Sequence, residues 1–185
     1  VTARNQEKYL KRKKNRYAEI SSLFASALSA PTLSTCKKEI DALKEYVGED
    51  NFKYYDAVNI YIDYAASERL SDNQKQILQQ IYERLEPQNR LMEILDNVNK
   101  NEKAYVIRLI SSLGLTQYVP NIKEYLSSRN KKLSYHAGMA LSKLGDEDST
   151  VRFINICGRN NTLSSRVIME VLSNYSGDKA SLVKR

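Results

Sequence analysis

The 185 residues and 21.2 kDa of this chain fit one domain with a sizeable core, and the sequence contains no uncharged run of about 18 apolar residues that could span a membrane. Six Gly and three Pro are too few for the dense turns of a β-sandwich or β-barrel, so we expect an all-α fold. The net charge of +7 is concentrated in residues 1–16, where seven Lys or Arg accompany a single Glu. Residues 17–185 have a net charge of only +1, which argues against a domain that binds nucleic acid over its whole surface.

A basic N-terminal arm, residues 1–16, precedes the predicted helical repeat domain, residues 17–185. Three interpretations of the arm stay open: it grips the phosphates of a nucleic acid, lies against anionic lipid head groups, or is a solvated helix end. The sequence starts at Val1 rather than at Met, so we interpret it as a piece of a longer chain. A basic cluster after a removed segment is typical of the cytoplasmic flank of a membrane anchor. The predicted contact residues of the arm are Lys8, Lys11, Arg12, Lys13, Lys14 and Arg16.

From residue 17 onward the apolar side chains recur at intervals of three and four, which indicates a series of amphipathic helices. The first stripe ends before Pro31. The second covers residues 36–47 and ends at Gly48, where a left-handed backbone conformation is favoured. Each of these helices therefore has an apolar side to bury.

Capping signals delimit the helices that follow. Asp50 or Asn51 can cap the third helix, and Ser71 with Gln74 forms a capping box at the start of the fourth. Pro87 is expected to end the fourth helix, and a fifth helix follows it.

Four tyrosines fall within the third predicted helix. At about 100° per residue, Tyr54 and Tyr61 share the apolar stripe with Val58, whereas Tyr55 and Tyr64 point toward its margins. An aromatic ring at such a margin can either contact a partner protein or form hydrogen bonds at the protein's own surface. We take Tyr55 and Tyr64 as the candidate partner surface.

Beyond residue 100 the sequence repeats with a period of 31 residues. The apolar stripe that ends at Gly114 matches the one that ends at Gly145 position for position, and a third copy ends one residue late, at Gly177. Because neither helix of a pair can bury its stripe alone, neighbouring pairs must stack, which predicts an α-solenoid of stacked antiparallel helix pairs. The matched positions are Val106 with Ala137, Leu109 with Ala140, Ile110 with Leu141, and Leu113 with Leu144.

Residues 133–146 read Leu-Ser-Tyr-His-Ala-Gly-Met-Ala-Leu-Ser-Lys-Leu-Gly-Asp. This segment resembles the first helix of a bacterial HEAT repeat, with Ala137, Gly138 and Ala140 at the positions where paired helices approach closely. The resemblance is best over residues 102–160. It implies a HEAT-like, armadillo-type superhelix that serves as a binding platform and seldom as a catalyst.

Residues that could carry chemistry are few. The phosphate-binding, dinucleotide-binding and zinc-protease motifs are absent, and the only His, His136, adjoins small residues that are expected to pack. Cys36 and Cys157 lie far apart on apolar stripes, which favours two reduced thiols over a zinc site. The acidic residues 146–148 precede a predicted helix and suit its positive N-terminal end better than a metal ion. We therefore predict no enzymatic activity, no cofactor and no metal.

The function predicted from these features is a non-catalytic protein–protein interaction scaffold. Its partner would be another protein, with no small-molecule substrate, and an anionic membrane surface is a second contact through the arm. Reduced cysteines favour a cytoplasmic location, at the inner face of a membrane if an anchor precedes Val1. The alternative is a nucleic-acid-binding protein that uses the arm, which the near-neutral charge of the remaining residues disfavours.

Overall fold

The structure, a computed structural model, covers residues 3–159 and 165–184. Within those ranges the regular secondary structure is helical and no strand occurs, which confirms the predicted all-α class. The chain divides into two compact units, Val1–Arg90 and Leu91–Arg185. The sequence predicts a different division, with an arm over residues 1–16 and one domain over residues 17–185. Residues 1 and 2 of that arm lie outside the described residues.

The helices follow one another with short connections. They are α1 (Ala3–Leu28), α2 (Lys37–Val47), α3 (Asn51–Ala65), α4 (Asp72–Leu85), α5 (Pro87–Asn97), α6 (Lys100–Ser112), α7 (Val119–Lys123), α8 (Lys131–Lys143), α9 (Glu147–Arg159), α10 (Ser165–Asn174) and α11 (Lys179–Lys184). A turn of 3₁₀-helix, Thr116–Tyr118, leads into α7. Helix α1 runs without a break from the basic arm into the N-terminal unit, so residues 3–16 of the arm form the first half of a core helix.

Local sequence signals set the helix ends in the N-terminal unit as predicted. Asp50 caps α3, because its carboxylate accepts hydrogen bonds from the backbone N–H groups of Phe52 (2.8 Å) and Lys53 (3.1 Å). Ser71 and Gln74 form the capping box of α4, and Gly48 ends α2 with a φ of +48°. These caps satisfy backbone groups that a helix end otherwise leaves unpaired.

Pro87 has a different role from the predicted one. Helix α4 ends at Leu85, and Glu86 takes the left-handed conformation, with φ +48°. Pro87 is then the first residue of α5, a position where its missing N–H costs nothing. The proline therefore starts a helix as well as preventing the previous one from continuing.

Helix α3 lies at the centre of the N-terminal unit, where it contacts α1, α2 and α4. Because neighbours cover it on several sides, its buried residues run consecutively from Tyr54 to Val58 instead of forming one stripe. Helix α1 packs on this unit through Ile20, Phe24 and Ala27, which are fully buried. The ring of Phe24 stacks on Tyr64 of α3, with ring centroids 5.9 Å apart.

The 31-residue repeat is visible in the local geometry of α6 and α8. Gly114 and Gly145 follow these two helices, and both take positive φ values, +67° and +77°. The hydrogen bonds that end the helices also repeat, since Leu115 N–H donates to the Ile110 carbonyl and Asp146 N–H donates to the Leu141 carbonyl. The matched stripe positions are buried in both copies, except that Leu113 is half-buried.

The copies diverge after these glycines. The helix that follows Gly114 is α7, of five residues, whereas α9 has 13 residues. In the third copy, Gly177 does not take the left-handed conformation, and a Cβ there would overlap the ring of Tyr175. The sequence period thus marks equivalent first helices, while the connecting elements vary.

Helices α8 and α9 approach closely at a single glycine. A Cβ on Gly138 would overlap the ring of Phe153, which is buried against it. The sequence predicts that small residues of α8 lie at such a contact, whereas the role of Phe153 as their partner is visible only in the structure. The ring fills the space that the absent side chain leaves.

We predict that Gly138→Ala destabilises the C-terminal unit. The substitution would ordinarily stabilise a helix by about 1 kcal/mol, but overlap with Phe153 should instead lower the free energy of unfolding by about 1–3 kcal/mol. Urea denaturation measures this change, and adding Phe153→Leu should cost less in the Gly138→Ala background than in the wild type. Gly158→Ala, at an exposed position of α9, is the matched control and should be neutral or stabilising. A stabilising Gly138→Ala would contradict the close packing.

Candidate functional site

The first half of α1 is the most exposed helical segment of the N-terminal unit. Residues 5–15, which we call the overhang, are all exposed, although they belong to the same helix as the buried Ile20 and Phe24. Eleven residues of α-helix extend about 16 Å. The overhang is therefore a helix held at one end by the core of the unit.

Five of the six predicted arm residues lie on the overhang and are exposed: Lys8, Lys11, Arg12, Lys13 and Lys14. Within the described part of the chain, none of these five side chains forms an ion pair or hydrogen bond. Together with Glu7 they give the overhang a net charge of +4. The structure thus leaves these charges available to an anionic partner.

Arg16, the sixth predicted contact residue, is part of the core packing instead. Its Nε donates to Asp56 Oδ2 of α3 at 2.6 Å, and the two side chains are only 19% and 8% exposed. A buried carboxylate needs such a partner because an unpaired charge in the interior is costly. Arg16 thus neutralises Asp56 and, unlike the other five predicted arm residues, is not exposed.

The overhang also exposes two apolar side chains that the sequence analysis did not single out. Tyr9 and Leu10 are each 55% exposed. Their position on α1 can be inferred from the sequence. Leu10, Tyr17 and Phe24 are spaced by seven residues, and side chains seven residues apart on an α-helix differ in direction by only about 20°. Tyr9 and Leu10 thus continue the side of α1 that faces the core.

The base of the overhang carries further exposed aromatic surface. Phe52, at the start of α3, is 53% exposed, and its ring centroid lies 5.6 Å from the guanidinium carbon of Arg16. Tyr17 is partly exposed, and its hydroxyl donates to Asp63 Oδ2 at 3.4 Å. With Tyr9 and Leu10, these rings make up most of the large apolar side chains that are exposed in the described residues.

The two tyrosines chosen from the sequence are not the exposed ones. Tyr55 is 4% exposed, so its ring lies in the core of the N-terminal unit and not on the exposed surface where it was expected. The helical wheel placed it at a margin, but α3 has neighbours on several sides and the margin is covered. Tyr64 is half-buried, and its face stacks on Phe24, so its ring contributes to the packing of α1 on α3.

The surroundings of His136 and of the two cysteines shift their pKa values. Burial, assisted by the positive charges of Lys132 and Arg108, lowers the pKa of His136, so its imidazole is neutral. Burial raises the pKa of both Cys36 and Cys157, so both thiols are protonated. Over residues 3–159 and 165–184, no group of three or more His, Cys, Asp or Glu is arranged to hold a metal ion.

Asp146 caps α9. Its Oδ2 accepts the backbone N–H of Ser149 at 3.1 Å, and its Oδ1 pairs with Lys123 Nζ at 2.9 Å. Burial raises the pKa of Asp146, but the hydrogen bonds from Ser149 and Lys123 outweigh it and the net pKa is lowered. The capping interpretation of this acidic segment is thus supported by its contacts.

A groove of about 450 Å³ opens in the C-terminal unit. It lies between the start of α8, helix α9 and the start of α10, and it could accept an apolar side chain of a ligand or partner. Its main lining residues are Leu126, Lys131, Tyr135, Phe153, Ile156 and Val167.

Comparison with protein-family models, with characterised proteins and with solved structures found no match. Of the helices described, none is both long enough and apolar enough to cross a lipid bilayer. The interpretation of the overhang and the groove therefore depends on their own geometry.

We predict that Arg16→Ala lowers the free energy of unfolding by about 2 kcal/mol or more, because it leaves the Asp56 carboxylate buried without its partner. Arg12→Ala, one turn earlier on the overhang, is the matched control and should change it by less than about 0.5 kcal/mol. Chemical denaturation of the two variants measures the contrast. Equal effects would contradict the division between a structural and an exposed arginine.

The lowered pKa of Asp146 predicts a pH-dependent contribution to stability. The ionised Asp146 carboxylate contributes its full stabilisation above the ordinary carboxyl pKa of 3.8. That stabilisation is lost as the pH falls through the lower pKa that Asp146 has in the folded protein. Asp146→Asn should therefore be less stable than the wild type at neutral pH by about 1 kcal/mol, and the difference should shrink in acid. Asp148→Asn, in the same turn, should show a smaller difference. A gap that stays constant down to about pH 2 would contradict this account.

Proposed function

We propose that this chain is a non-catalytic interaction scaffold of HEAT-like helix pairs that binds another protein, with the overhang as its principal contact surface. The observation that carries the proposal is the exposure of residues 5–15 on a helix whose second half packs into the core through Ile20, Phe24 and Ala27. A helix fixed at one end presents its charges in a set arrangement. Binding then costs less ordering entropy than it would for a flexible tail.

The repeated geometry of α6 and α8 supports the HEAT-like architecture. Lys143 Nζ lies 3.2 Å from Ser112 Oγ, and these two residues occupy the same position in consecutive copies. Equivalent positions touch when repeats stack side by side. Ser142 of α8 in turn donates to the Val171 carbonyl of α10, so α8 contacts the first helix on each side of it. On this basis we propose that the C-terminal unit is a short α-solenoid.

The charge of the overhang supports an anionic partner. Five basic side chains lie within eleven residues, whereas the protein after residue 16 is near neutral. Charged surfaces of this kind steer a complementary partner and set the specificity of the contact. An acidic surface of another protein satisfies this requirement.

Nucleic acid is the second candidate partner of the same surface. Lys8, Lys11 and Arg12 are spaced by three and four residues, so they share one face of the helix and could follow a phosphate backbone. An anionic membrane would also attract these charges. An acidic protein, a nucleic acid and an anionic membrane all contact basic side chains, but they differ in the other contacts that they make.

The proposal predicts that the wild-type protein binds fluorescent polyglutamate, and that Arg12→Glu/Lys13→Glu/Lys14→Glu weakens this binding at least about tenfold because it reverses three charges of the contact surface. Fluorescence anisotropy at several salt concentrations measures the affinity, which should fall with salt.

A second triple variant controls for net charge. Lys38→Glu/Lys100→Glu/Lys179→Glu makes the same charge change in the first turns of α2, α6 and α11, where Glu is favoured by the helix dipole. It should keep most of the wild-type affinity. Equal losses in both variants would contradict the assignment to the overhang. Tighter binding of a DNA duplex or of anionic vesicles than of polyglutamate, at equal salt, would contradict a protein partner.

A further inference from the structure

We propose that the overhang is a docking surface for an acidic amphipathic helix of the partner, which packs on Tyr9 and Leu10 and places carboxylates on Lys13. The inference rests on the proposed scaffold function and specifies the structure of the partner segment. It follows from the direction in which the side chains of the overhang point.

The core-facing side of α1 continues along the overhang in two columns. Leu10, Tyr17 and Phe24 form one column at seven-residue spacing, and Lys13, Ile20 and Ala27 form the other. From Ile20 onward these columns are buried by other helices, whereas Tyr17, at the base of the overhang, is 38% exposed. In the overhang the same side of the helix is exposed.

The helices that cover this side end at the base of the overhang. Tyr46, near the end of α2, donates its hydroxyl to Glu19, and Phe52, near the start of α3, adjoins Arg16. The turn between α2 and α3 therefore lies beside Arg16, and residues 5–15 extend past it. The uncovered length of about 16 Å has room for three turns of a further helix.

The charge on this side determines the chemistry of the occupant. Lys13 lies within about 10° of the midpoint between Tyr9 and Leu10, and Arg12 and Lys14 flank the apolar surface at about 90–110° from it. A helix that buries Tyr9 and Leu10 must therefore place acidic groups against Lys13, or that charge is desolvated without a partner. Pairing of two overhangs does not meet the condition, because it would bring five bases against five.

A membrane does not fit the same side of the helix. Helices α2 and α3 pack on the side of α1 that Tyr9 and Leu10 continue, and each helix adds about 10 Å of thickness. A flat bilayer would therefore meet these helices before it reached Tyr9 and Leu10. Nucleic acid would instead use Lys8 and Lys11, which lie about 150° away on the opposite face.

The experiment uses the whole chain and two synthetic peptides of about 18 residues, a length sufficient for a helix when bound. Both peptides have the same Leu and Glu content, but only one places its Leu residues on a single helix face. We expect the amphipathic peptide to bind at least about tenfold more tightly than the scrambled one. Tyr9→Ala/Leu10→Ala should reduce that affinity by about tenfold or more, because it removes the apolar contact while keeping good helix formers.

Met169→Ala, at an exposed apolar position of α10, is the control and should bind like the wild type. Circular dichroism checks that each variant folds. The docking surface is overturned if the two peptides bind with equal affinity, or if the Tyr9→Ala/Leu10→Ala variant binds like the wild type. If polyglutamate still binds in that case, the charge-based scaffold function stands. Self-association of the chain, or binding to anionic vesicles that requires Tyr9 and Leu10, would also overturn it. Loss of all acidic-probe binding would instead reject the proposed function itself.

Discussion

The length of α1 relative to the helices that pack on it determines what the N-terminal unit can do. Helix α1 has 26 residues, whereas α2 and α3 have 11 and 15, so part of α1 must remain uncovered. The ion pair between Arg16 and Asp56 lies at the boundary between the two parts. Toward the C-terminus from Arg16, α1 is a core helix. Toward the N-terminus it is an exposed helix whose position is fixed by that core.

This boundary separates two roles for residues of the same type. Arg12 and Arg16 are one helical turn apart, yet one is exposed and the other compensates a buried carboxylate. A basic side chain with a buried partner contributes to stability and is not available to a ligand, whereas an exposed one contributes little to folding and can contribute to recognition. The surface that we assign to binding is thus built from residues that folding does not require.

The C-terminal unit depends on glycine at two kinds of position. Gly114 and Gly145 permit the left-handed residue that ends each first helix, so the chain turns in the same way at both ends of a 31-residue interval. Gly138 permits the ring of Phe153 to lie directly on the backbone of α8, which brings α8 and α9 together. Conformational freedom explains the first two glycines and close packing explains the third.

The sequence by itself determined the helical class, the cap at Ser71, and the repeated ends at Gly114 and Gly145, because these depend on periodicity and on contacts within a few residues. It narrowed the cap of α3 to Asp50 or Asn51, and the structure shows Asp50. It also located the basic cluster, since charge is a property of composition. Only the tertiary structure decided that Tyr55 is buried and that Tyr9 and Leu10 are exposed. The reason is that a helical wheel shows which residues share a face, whereas exposure depends on how many neighbours cover the helix and on where those neighbours end.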